Sequence, residues 1–340
     1  MLWKRFGDKM VRVAINGFGR IGRMVFRAGI NSPEIEFVCI NDLTKPENLA
    51  YLLKYDSTHG RFKGEVSFKE DALIVNGKEI KVTSEKDPIA LPWKELNVDV
   101  VLECTGIFRK KEDLEKHIQA GAKKVILSAP PKSDGIKIVV VGVNDSEISS
   151  EDLFISNASC TTNSLAPIVK ILHENIGIIK GFMTTVHSYT ADQKLVDAPH
   201  KDFRRGRSAA HNIVPTTTGA AIAVTKVIPE LEGKLDGLAF RVPSVDGSVT
   251  DFVAVLSRET SKEEILNLFE RYKNNEMKGI LDITYEPIVS SDIIGNTYST
   301  IVDARATMVN GNMIKIVTWY DNEFGYSNRM IDLVIKVSKI

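Results

Sequence analysis

The feature that most constrains the fold is a glycine-rich turn between an apolar strand and an amphipathic helix. The strand VRVAIN (11–16) is followed by Gly17, Gly19 and Gly22 in a G-x-G-x-x-G pattern, and a helical stripe begins directly afterwards. Gly17 permits a tight turn, Gly19 lets the backbone approach a ligand, and Gly22 lets helix and strand pack closely. The pattern alone is common, but in this strand–turn–helix context it predicts a nucleotide-binding βα unit.

An acidic side chain lies where this type of unit would need one. The second strand, EFVCIN (36–41), ends before Asp42, which stands twenty residues after Gly22. An acid at this place accepts hydrogen bonds from the adenosine ribose and repels a 2′-phosphate, while the helix N-terminus attracts the diphosphate. The turn and the acid together predict NAD rather than NADP as the cofactor.

The first half of the chain alternates strands and helices. Further apolar strands are predicted at VDVVLECTG (98–106), KKVILSAP (123–130) and IKIVVVGVN (136–144). Near-continuous apolar strands joined by helices are typical of a parallel sheet that is covered on both faces. Residues 61–83 differ, because two alternating runs flank Asn76-Gly77 and predict an inserted antiparallel hairpin.

The pattern changes near residue 157. Residues 162–176 have the apolar spacing of a helix that packs one face inward, and the later strands alternate as in an antiparallel sheet. We therefore predict an α/β protein. It would have a Rossmann-type dinucleotide-binding domain with a largely parallel sheet at 10–159, completed by a C-terminal helix at 322–340. An α+β catalytic domain with an antiparallel sheet would occupy 160–321, and residues 1–9 would be an N-terminal extension.

Composition excludes several classes of function. Lys+Arg and Asp+Glu both number 44, and a chain without net charge is not typical of a dedicated nucleic-acid binder. No apolar run of about 18 residues indicates a membrane-spanning helix, and the N-terminus lacks the apolar region of a secretory signal. Three cysteines form no disulfide framework and favour a reducing, cytoplasmic compartment. No metal-binding motif is present, so no metal is expected.

One cysteine stands where its thiol could react. Cys160 lies among small polar residues at the entrance of the second-half helix, where the helix macrodipole would lower the pKa of a thiol. Cys39 and Cys104 fall in apolar strands and are interpreted as structural. His187, on a predicted strand, could pair with Cys160 as a general base, but spacing alone does not show that the two meet.

Eight segments together resemble the phosphorylating glyceraldehyde-3-phosphate dehydrogenases of glycolysis, and the resemblance runs from about residue 11 to the end. SNASCTTN is highly specific, and it occurs in order with the others. The segments are INGFGRIGR (15–23), INDLT (40–44), LLKYDSTHGRF (52–62), SNASCTTN (156–163), TTVHSYTADQ (184–193), PTTTGAA (215–221), FRVPS (240–244) and WYDNEFGYSNR (319–329).

The resemblance implies a role for each matching residue. Cys160 would be the nucleophile and His187 the base. NAD would be held by the glycine turn with Arg20, Ile21, Asp42, Lys86, Ser128 and Asn322, the last on the nicotinamide carboxamide. The substrate phosphate would be bound by Thr190, Asp192 and Arg241, and inorganic phosphate by Ser159, Thr161, Arg205, Thr218 and Gly219. A homotetramer is also implied, with a loop at about 189–212 in the subunit interface.

The implied reaction is the NAD-dependent oxidation of glyceraldehyde 3-phosphate to 1,3-bisphosphoglycerate through a cysteine hemithioacetal and thioester. Three positions depart from the family pattern: Ser164 replaces a second cysteine, Lys86 an arginine near the adenine, and Cys104 a serine. Alternatives are an erythrose 4-phosphate dehydrogenase or another dehydrogenase of phosphorylated aldehydes. A semialdehyde or acyl-phosphate reductase would prefer NADP, against Asp42. A non-catalytic NAD- or RNA-binding protein would not need Cys160 and His187.

Overall fold

The computed structural model describes residues 10–340, so the extension predicted at residues 1–9 lies outside the described residues. The chain forms two compact units. Unit 1 holds the chain up to Ile138 together with Ile148–Asn157 and Ser327–Ile340, and unit 2 holds Val139–Glu147 and Ala158–Tyr326. The division near residue 158 lies close to the proposed domain boundary, whereas the short segment Val139–Glu147 belongs to unit 2.

Unit 1 is built on one sheet with helices between its strands. Its elements are β1 (Val11–Asn16), α1 (Arg20–Gly29), β2 (Ile35–Asn41), α2 (Pro46–Lys54), β3 (Val66–Lys69), β4 (Ala72–Val75), β5 (Lys78–Thr83), β6 (Val100–Glu103), α3 (Lys111–Gln119), β7 (Lys124–Leu127), β8 (Lys137–Ile138) and β9 (Phe154–Ser156). Over the described residues, the strand order of this sheet is β3-β4-β5-β2-β1-β6-β7-β9-β8. All pairs are parallel except β3 with β4 and β4 with β5.

The strand order of unit 1 confirms the predicted largely parallel sheet and locates its crevice. Since β2 and β6 flank β1 on opposite sides, the connections reverse direction at β1. Open parallel sheets bind ligands at such a switch point, outside the carboxyl ends of the strands. The predicted hairpin is present as well: β4 and β5 are antiparallel, and Asn76 and Gly77 between them both have positive φ, at 50° and 77°.

The strand predicted at 136–144 is much shorter in the structure. Pairing stops after Ile138, because the backbone that follows is bound by side chains instead of a neighbouring strand. The Val140 N–H donates to the Asn144 side chain at 2.9 Å, and the Gly142 N–H donates to Asp145 at 2.8 Å. Asn and Asp side chains compete with strand pairing in this way, and Val139–Glu147 consequently turns.

Unit 2 contains a mixed sheet and helices of its own. Its elements are α4 (Cys160–Asn175), β10 (Ile178–Ser188), β11 (Val214–Thr217), α5 (Ala220–Val227), β12 (Leu235–Val242), β13 (Ser248–Leu256), α6 (Lys262–Asn274), β14 (Leu281–Thr284), β15 (Thr300–Asp303), β16 (Met308–Asn310) and β17 (Met313–Tyr320). Over the described residues, the strand order of the sheet is β11-β12-β10-β13-β17-β15-β14, and β16 adds to it by pairing with β17. The final helix α7 (Phe324–Val337) lies within the C-terminal helix predicted at 322–340.

Two features of unit 2 differ from expectation. The sheet is largely antiparallel, but β10 with β12 and β14 with β15 are parallel pairs, which alternation along single strands does not indicate. The helix predicted to bury one face is buried almost all round, since all residues from Thr161 to Val169 are buried. Small polar residues in its first turns let it enter the interior of unit 2. Along the described residues, no helix is both long and apolar enough to cross a membrane.

Candidate active site

The glycine turn lies at the carboxyl end of β1, and at two of its glycines the surrounding backbone leaves no room for a side chain. Gly17 has φ of +91°, and a Cβ there would lie 2.7 Å from the Thr105 backbone nitrogen. A Cβ on Gly22 would lie 2.2 Å from the Gly17 carbonyl oxygen. Both contacts are far shorter than van der Waals distance, so a side chain at either position would displace backbone.

The middle glycine has a different environment. Apart from its chain neighbours, no described heavy atom would lie within 4 Å of a Cβ on Gly19. The described residues also give α1 neither a side-chain cap nor an acid in its first turn. The opening in front of Gly19 and the uncapped N-terminus of α1 therefore fit the diphosphate of a dinucleotide, which needs backbone N–H donors.

Two acids organise this edge of the sheet. Asp42 accepts hydrogen bonds from the Phe18 N–H at 2.8 Å and from the Thr44 N–H at 2.9 Å, so its carboxylate is held beside the glycine turn. Arg20 forms a 2.5 Å ion pair with Asp56, whose side chain is 1% exposed. Burial opposes ionisation of Asp56, but hydrogen bonds from His59 and Arg20 outweigh it and lower its pKa to about 2. Asp56 lies in the LLKYDSTHGRF segment, to which we assigned no role.

The remaining predicted cofactor residues of unit 1 share this edge. Ile21 occupies the first turn of α1, Lys86 is exposed shortly after β5, and Ser128 directly follows β7. Since β1, β2, β5, β6 and β7 are parallel, their carboxyl ends all open toward the same crevice. Residues that are scattered along the sequence are therefore brought to one rim.

In unit 2 the structure brings Cys160 and His187 together. Their Sγ and Nε2 atoms are 3.4 Å apart, within hydrogen-bond reach for sulfur. Ser159 caps α4 by accepting from the Thr162 N–H, which makes Cys160 the first helical residue. Ala158, just before the cap, has φ of +54°, an uncommon value for a residue with a Cβ. The strained turn presents the thiol to β10, where His187 lies.

The electrostatics of the pair differ from what helix position alone predicts. Burial raises the pKa of the Cys160 thiol, although the Arg241 cation and Thr161 lower it in part. Burial and Arg241 lower the pKa of His187 to about 3. The imidazole is therefore neutral near pH 7 and can accept a proton, as a general base must.

Arg241 completes this cluster from the neighbouring parallel strand. β10 and β12 place His187 and Arg241 in direct register, and one guanidinium nitrogen lies 2.7 Å from His187 Nδ1 and 3.0 Å from the Ser188 carbonyl. His187 Nδ1 also lies 2.7 Å from that carbonyl. The neutral ring has two tautomers. Without a proton, Nδ1 accepts from Arg241 and the proton is on Nε2, whereas with a proton, Nδ1 donates to the Ser188 carbonyl. Only the second tautomer leaves Nε2 free to accept a proton from sulfur.

Tyr320 is a member of the cluster that sequence reasoning missed. Its hydroxyl is 2.9 Å from Thr161 Oγ1 and 2.8 Å from Thr185 Oγ1, and its ring packs edge-on to His187. Burial raises the pKa of Tyr320 above its usual range, so the phenol stays protonated. The signal was available in the WYDNEFGYSNR match, where only Asn322 received a role.

The residues predicted to bind the two phosphates are not separated in the structure as the prediction grouped them. Arg205 donates to Asp192 at 2.6 Å and to Thr216 at 2.8 Å, so an arginine assigned to one anion site pairs with an acid assigned to the other. The Arg205 hydrogen bond and charge lower the pKa of Asp192 against the opposing effect of burial. Within the described chain, Thr218 bonds to neither arginine, since its hydroxyl accepts from the Ala220 N–H beside Gly219, the cap of α5.

Two other predicted residues have clear local settings. Asn322 is buried, and its Oδ1 accepts from the hydroxyls of Ser188 at 2.8 Å and Ser248 at 2.6 Å. This orients the amide so that the Nδ2 donors point away from the hydroxyl pair. Thr190 lies just past β10 and accepts the Gln193 N–H at its carbonyl, which leads the chain toward Asp192.

Comparison with known proteins gives a consistent result. The family model described as glyceraldehyde 3-phosphate dehydrogenase, NAD binding domain, matches residues 11–111, and that of the C-terminal domain matches residues 159–322. The chain belongs to the glyceraldehyde-3-phosphate dehydrogenase family. This confirms the resemblance inferred from the eight segments, and it makes unit 1 the carrier of the family's NAD-binding region.

Several curated relatives are similar along almost their whole length. The glyceraldehyde-3-phosphate dehydrogenase of Geobacillus stearothermophilus is 56% identical over 330 residues, which cover 96% of this chain and 98% of that protein. The enzyme of the same name from Thermotoga maritima is 57% identical over 326 residues, 95% of this chain and 98% of its own. Glyceraldehyde-3-phosphate dehydrogenase 1 of Bacillus subtilis is 53% identical over 332 residues, 97% of this chain and 98% of that protein.

Proposed function

We propose that this protein is an NAD-dependent enzyme that converts glyceraldehyde 3-phosphate and inorganic phosphate to 1,3-bisphosphoglycerate, a reaction of glycolysis and gluconeogenesis. The observation that carries the proposal is the 3.4 Å contact between Cys160 Sγ and His187 Nε2 beside Arg241, in a chain of this family. A nucleophile, a neutral base and a cation meet there, and these are the groups that an anionic aldehyde substrate requires.

The first step uses the sulfur and the imidazole. Cys160 loses its proton to Nε2 of His187 and attacks the aldehyde carbon. The imidazolium then returns that proton to the former carbonyl oxygen, which gives a hemithioacetal and leaves His187 neutral. The N–H of Cys160 has no intrahelical partner at the first position of α4 and can donate to the developing oxyanion. One such donor is worth about 3 kcal/mol of transition-state stabilisation.

The second step forms and uses the thioester. The hydride of the hemithioacetal carbon would leave to the nicotinamide of NAD, which is the oxidant that this cofactor would supply when bound. His187 takes the hydroxyl proton at Nε2, which contributes about a hundred- to ten-thousand-fold in rate. Inorganic phosphate then attacks the thioester carbonyl and releases 1,3-bisphosphoglycerate, with the sulfur as leaving group. The covalent route conserves the oxidation energy as a thioester instead of losing it to a free carboxylate.

The two phosphate groups need separate cationic sites. We assign the substrate phosphate to Arg241 and Thr190, and inorganic phosphate to Arg205 with Ser159, Thr161, Thr218 and Gly219. Asp192 acts here through its ion pair with Arg205 rather than as a direct ligand, because an ionised carboxylate only accepts hydrogen bonds. When phosphate takes the Arg241 donors, Nδ1 of His187 is left to donate to Ser188, the tautomer that the base requires.

The cofactor roles follow the rim of unit 1. We assign the diphosphate to the α1 N-terminus at Gly19, Arg20 and Ile21, and the adenosine ribose to Asp42, with Lys86 and Ser128 along the same edge. Asn322 would bind the nicotinamide carboxamide through its Nδ2 donors. The held carboxylate of Asp42 beside the Phe18 N–H supports NAD over NADP.

We further propose that the enzyme is a cytoplasmic homotetramer. Cys39, Cys104 and Cys160 all lack a disulfide partner, as a reducing compartment requires. Exposed apolar residues Leu195, Val196 and Phe203 lie in the segment that the family resemblance places in a subunit interface. Sedimentation of the purified protein tests the assembly.

Absorbance at the NADH band tests the activity. We expect NADH to accumulate with glyceraldehyde 3-phosphate, NAD and phosphate together, and to stop after about one equivalent per site when phosphate is omitted. Sustained turnover without phosphate would contradict the thioester route. A parallel reaction with erythrose 4-phosphate that ran faster than the triose would reassign the substrate.

A further inference from the structure

Five polar side chains form a hydrogen-bonded chain through the interior of unit 1, which we call the buried relay. Its members are Trp93, His117, Glu103, Asn16 and Asn41, and none is more than 5% exposed. Trp93 belongs to an apolar core cluster that also contains Leu114 and Val125, and Glu103 is fully buried. Buried polar groups are costly in such a place unless all their hydrogen bonds are satisfied.

The geometry assigns the protonation of the histidine in the relay. The indole N–H of Trp93 lies 3.0 Å from His117 Nδ1, and an indole can only donate. Nδ1 is therefore the acceptor, and the ring proton of the neutral imidazole stays on Nε2. That atom lies 3.2 Å from Glu103 Oε2 and donates to it. Trp93 thus fixes the tautomer that binds Glu103.

Glu103 is the centre of the relay. Its Oε2 accepts from His117 and from Asn16 Nδ2 at 2.6 Å, and its Oε1 accepts from the Thr105 N–H at 2.8 Å and the Thr105 hydroxyl at 2.5 Å. All four neighbours are donors, which suits a carboxylate that only accepts. An amide of the same shape would direct an N–H₂ group at donors.

The relay continues across β1 and β2. Asn16 Oδ1 accepts from Asn41 Nδ2 at 2.8 Å, and Asn41 Oδ1 accepts from the Glu85 N–H at 2.9 Å. The Asn41 amide also donates to the Glu85 carbonyl. The carboxyl ends of β1, β2, β5 and β6 are therefore tied together by side chains as well as by sheet pairing.

Two members of the relay, and the residue to which its Asn41 end is hydrogen-bonded, directly precede residues assigned to the cofactor. Asn16 precedes Gly17, Asn41 precedes Asp42, and Glu85 precedes Lys86. Glu103 holds Thr105, and Gly17 packs closely against the backbone of Thr105. A Cβ on Gly17 would lie 2.7 Å from the Thr105 nitrogen. No member of the relay is among the residues assigned to the cofactor itself.

We propose that the buried relay is the positioning device of the dinucleotide site: Trp93, His117 and Glu103 are positioning residues that set the spacing between the glycine turn, Asp42 and the Lys86 loop. The inference rests on the assignment of NAD to this crevice. Backbone N–H donors and a ribose-binding acid work only at fixed separation, and a charged buried centre allows one arrangement of four donors.

The test compares Glu103→Gln with Asp99→Asn in the full-length protein. Asp99 precedes the same strand, β6, at its opposite end, where its carboxylate accepts from the Arg12 N–H and from Lys123. Both changes replace an acid by its amide and remove hydrogen bonds from β6, so both lower the thermal midpoint. Equilibrium binding of NAD and NADP by calorimetry, and KM for NAD against kcat, are measured for each.

We expect Glu103→Gln to weaken NAD binding about tenfold, with kcat at saturating NAD within about twofold of the parent. Asp99→Asn should leave NAD affinity unchanged. Trp93→Phe, which frees His117 to adopt the other tautomer, should weaken NAD binding about threefold and serves if Glu103→Gln does not fold. The proposal would be overturned if Glu103→Gln and Asp99→Asn had equal NAD affinity. It would also be overturned if Trp93→Phe bound NAD as tightly as the parent.

The variant Asp42→Ala shows whether a failure lies with the relay or with the assignment of NAD to the crevice. If Asp42→Ala weakens NAD binding and Glu103→Gln does not, the crevice is the cofactor site and the relay is only structural. If neither variant changes NAD binding, the assignment of the crevice itself is wrong. In both cases the relay as a positioning device is rejected.

Discussion

The two functional regions of this protein are built in opposite ways. The dinucleotide crevice of unit 1 is made of backbone: a tight turn at Gly17, an opening at Gly19, an uncapped helix N-terminus and one acid. The proposed catalytic cluster of unit 2 is made of side chains from three separate elements, with Cys160 on α4, His187 on β10 and Arg241 on β12.

This difference explains why the first region can be found from a sequence pattern and the second cannot. Backbone geometry depends on residues that are close in sequence, so a crevice of this kind leaves a compact pattern of glycines. A side-chain cluster depends on which strands are neighbours and in which register. The parallel pairing of β10 with β12 aligns His187 with Arg241, although 54 residues separate them. Substitutions should therefore have distinct signatures in the two regions.

The largest effect is expected from Cys160→Ser. Turnover should fall below detection, because a serine hydroxyl is a far weaker nucleophile than a thiol next to the same neutral base. NAD binding should persist, since the crevice of unit 1 does not use this side chain. The check is NADH production beside a calorimetric NAD titration. Retained dehydrogenase turnover would remove Cys160 from the mechanism.

His187→Asn should reduce kcat by about a hundred- to ten-thousand-fold, with the thiol still present for alkylation. The imidazole is buried and neutral, so its loss removes the proton acceptor from the cluster without exposing a charge. Steady-state kcat and iodoacetamide labelling are the measurements. A loss of less than tenfold would mean that another group takes the proton. His173, which lies at the far end of α4, provides a matched control as His173→Asn.

Two glycines in one turn should respond differently. Gly22→Ala should lower the thermal midpoint strongly, because its Cβ would lie 2.2 Å from a backbone oxygen. Gly19→Ala should fold with little change, since its Cβ enters open space, but it should weaken NAD binding about tenfold by filling the ligand's place. Thermal melts and NAD titrations separate the outcomes. An unaltered NAD affinity in Gly19→Ala would show that the opening serves no diphosphate.

The smallest effect is expected from Tyr320→Phe. It removes the hydroxyl that joins Thr161 and Thr185, at a cost of about 1–3 kcal/mol in the free energy of unfolding. Since Thr161 is assigned to inorganic phosphate, KM for phosphate should rise about threefold while KM for NAD stays the same. Denaturant titration and phosphate kinetics check both parts. A change in KM for NAD instead would place Tyr320 in another role.

Much of unit 1 could be predicted because its determinants are local. The glycine turn, Asp42 and the Asn76-Gly77 hairpin are each specified within a few residues, and the structure has all three. The strand predicted at 136–144 was wrong beyond Ile138, because apolar content indicates burial but not pairing. The side chains of Asn144 and Asp145 accept hydrogen bonds from the backbone there, so these N–H groups do not pair with a neighbouring strand.

The chain alone determined the class of fold, and it predicted the place of the cofactor crevice and a reactive cysteine, since each rests on a short pattern whose physics acts over neighbouring residues. Tertiary structure decided the rest. The contact of Cys160 with His187, the partnership of Arg241 with His187, the role of Tyr320 and the relay through Glu103 all join residues that are distant in sequence. Such contacts arise from strand order and register, and they have no periodicity by which the linear chain could show them.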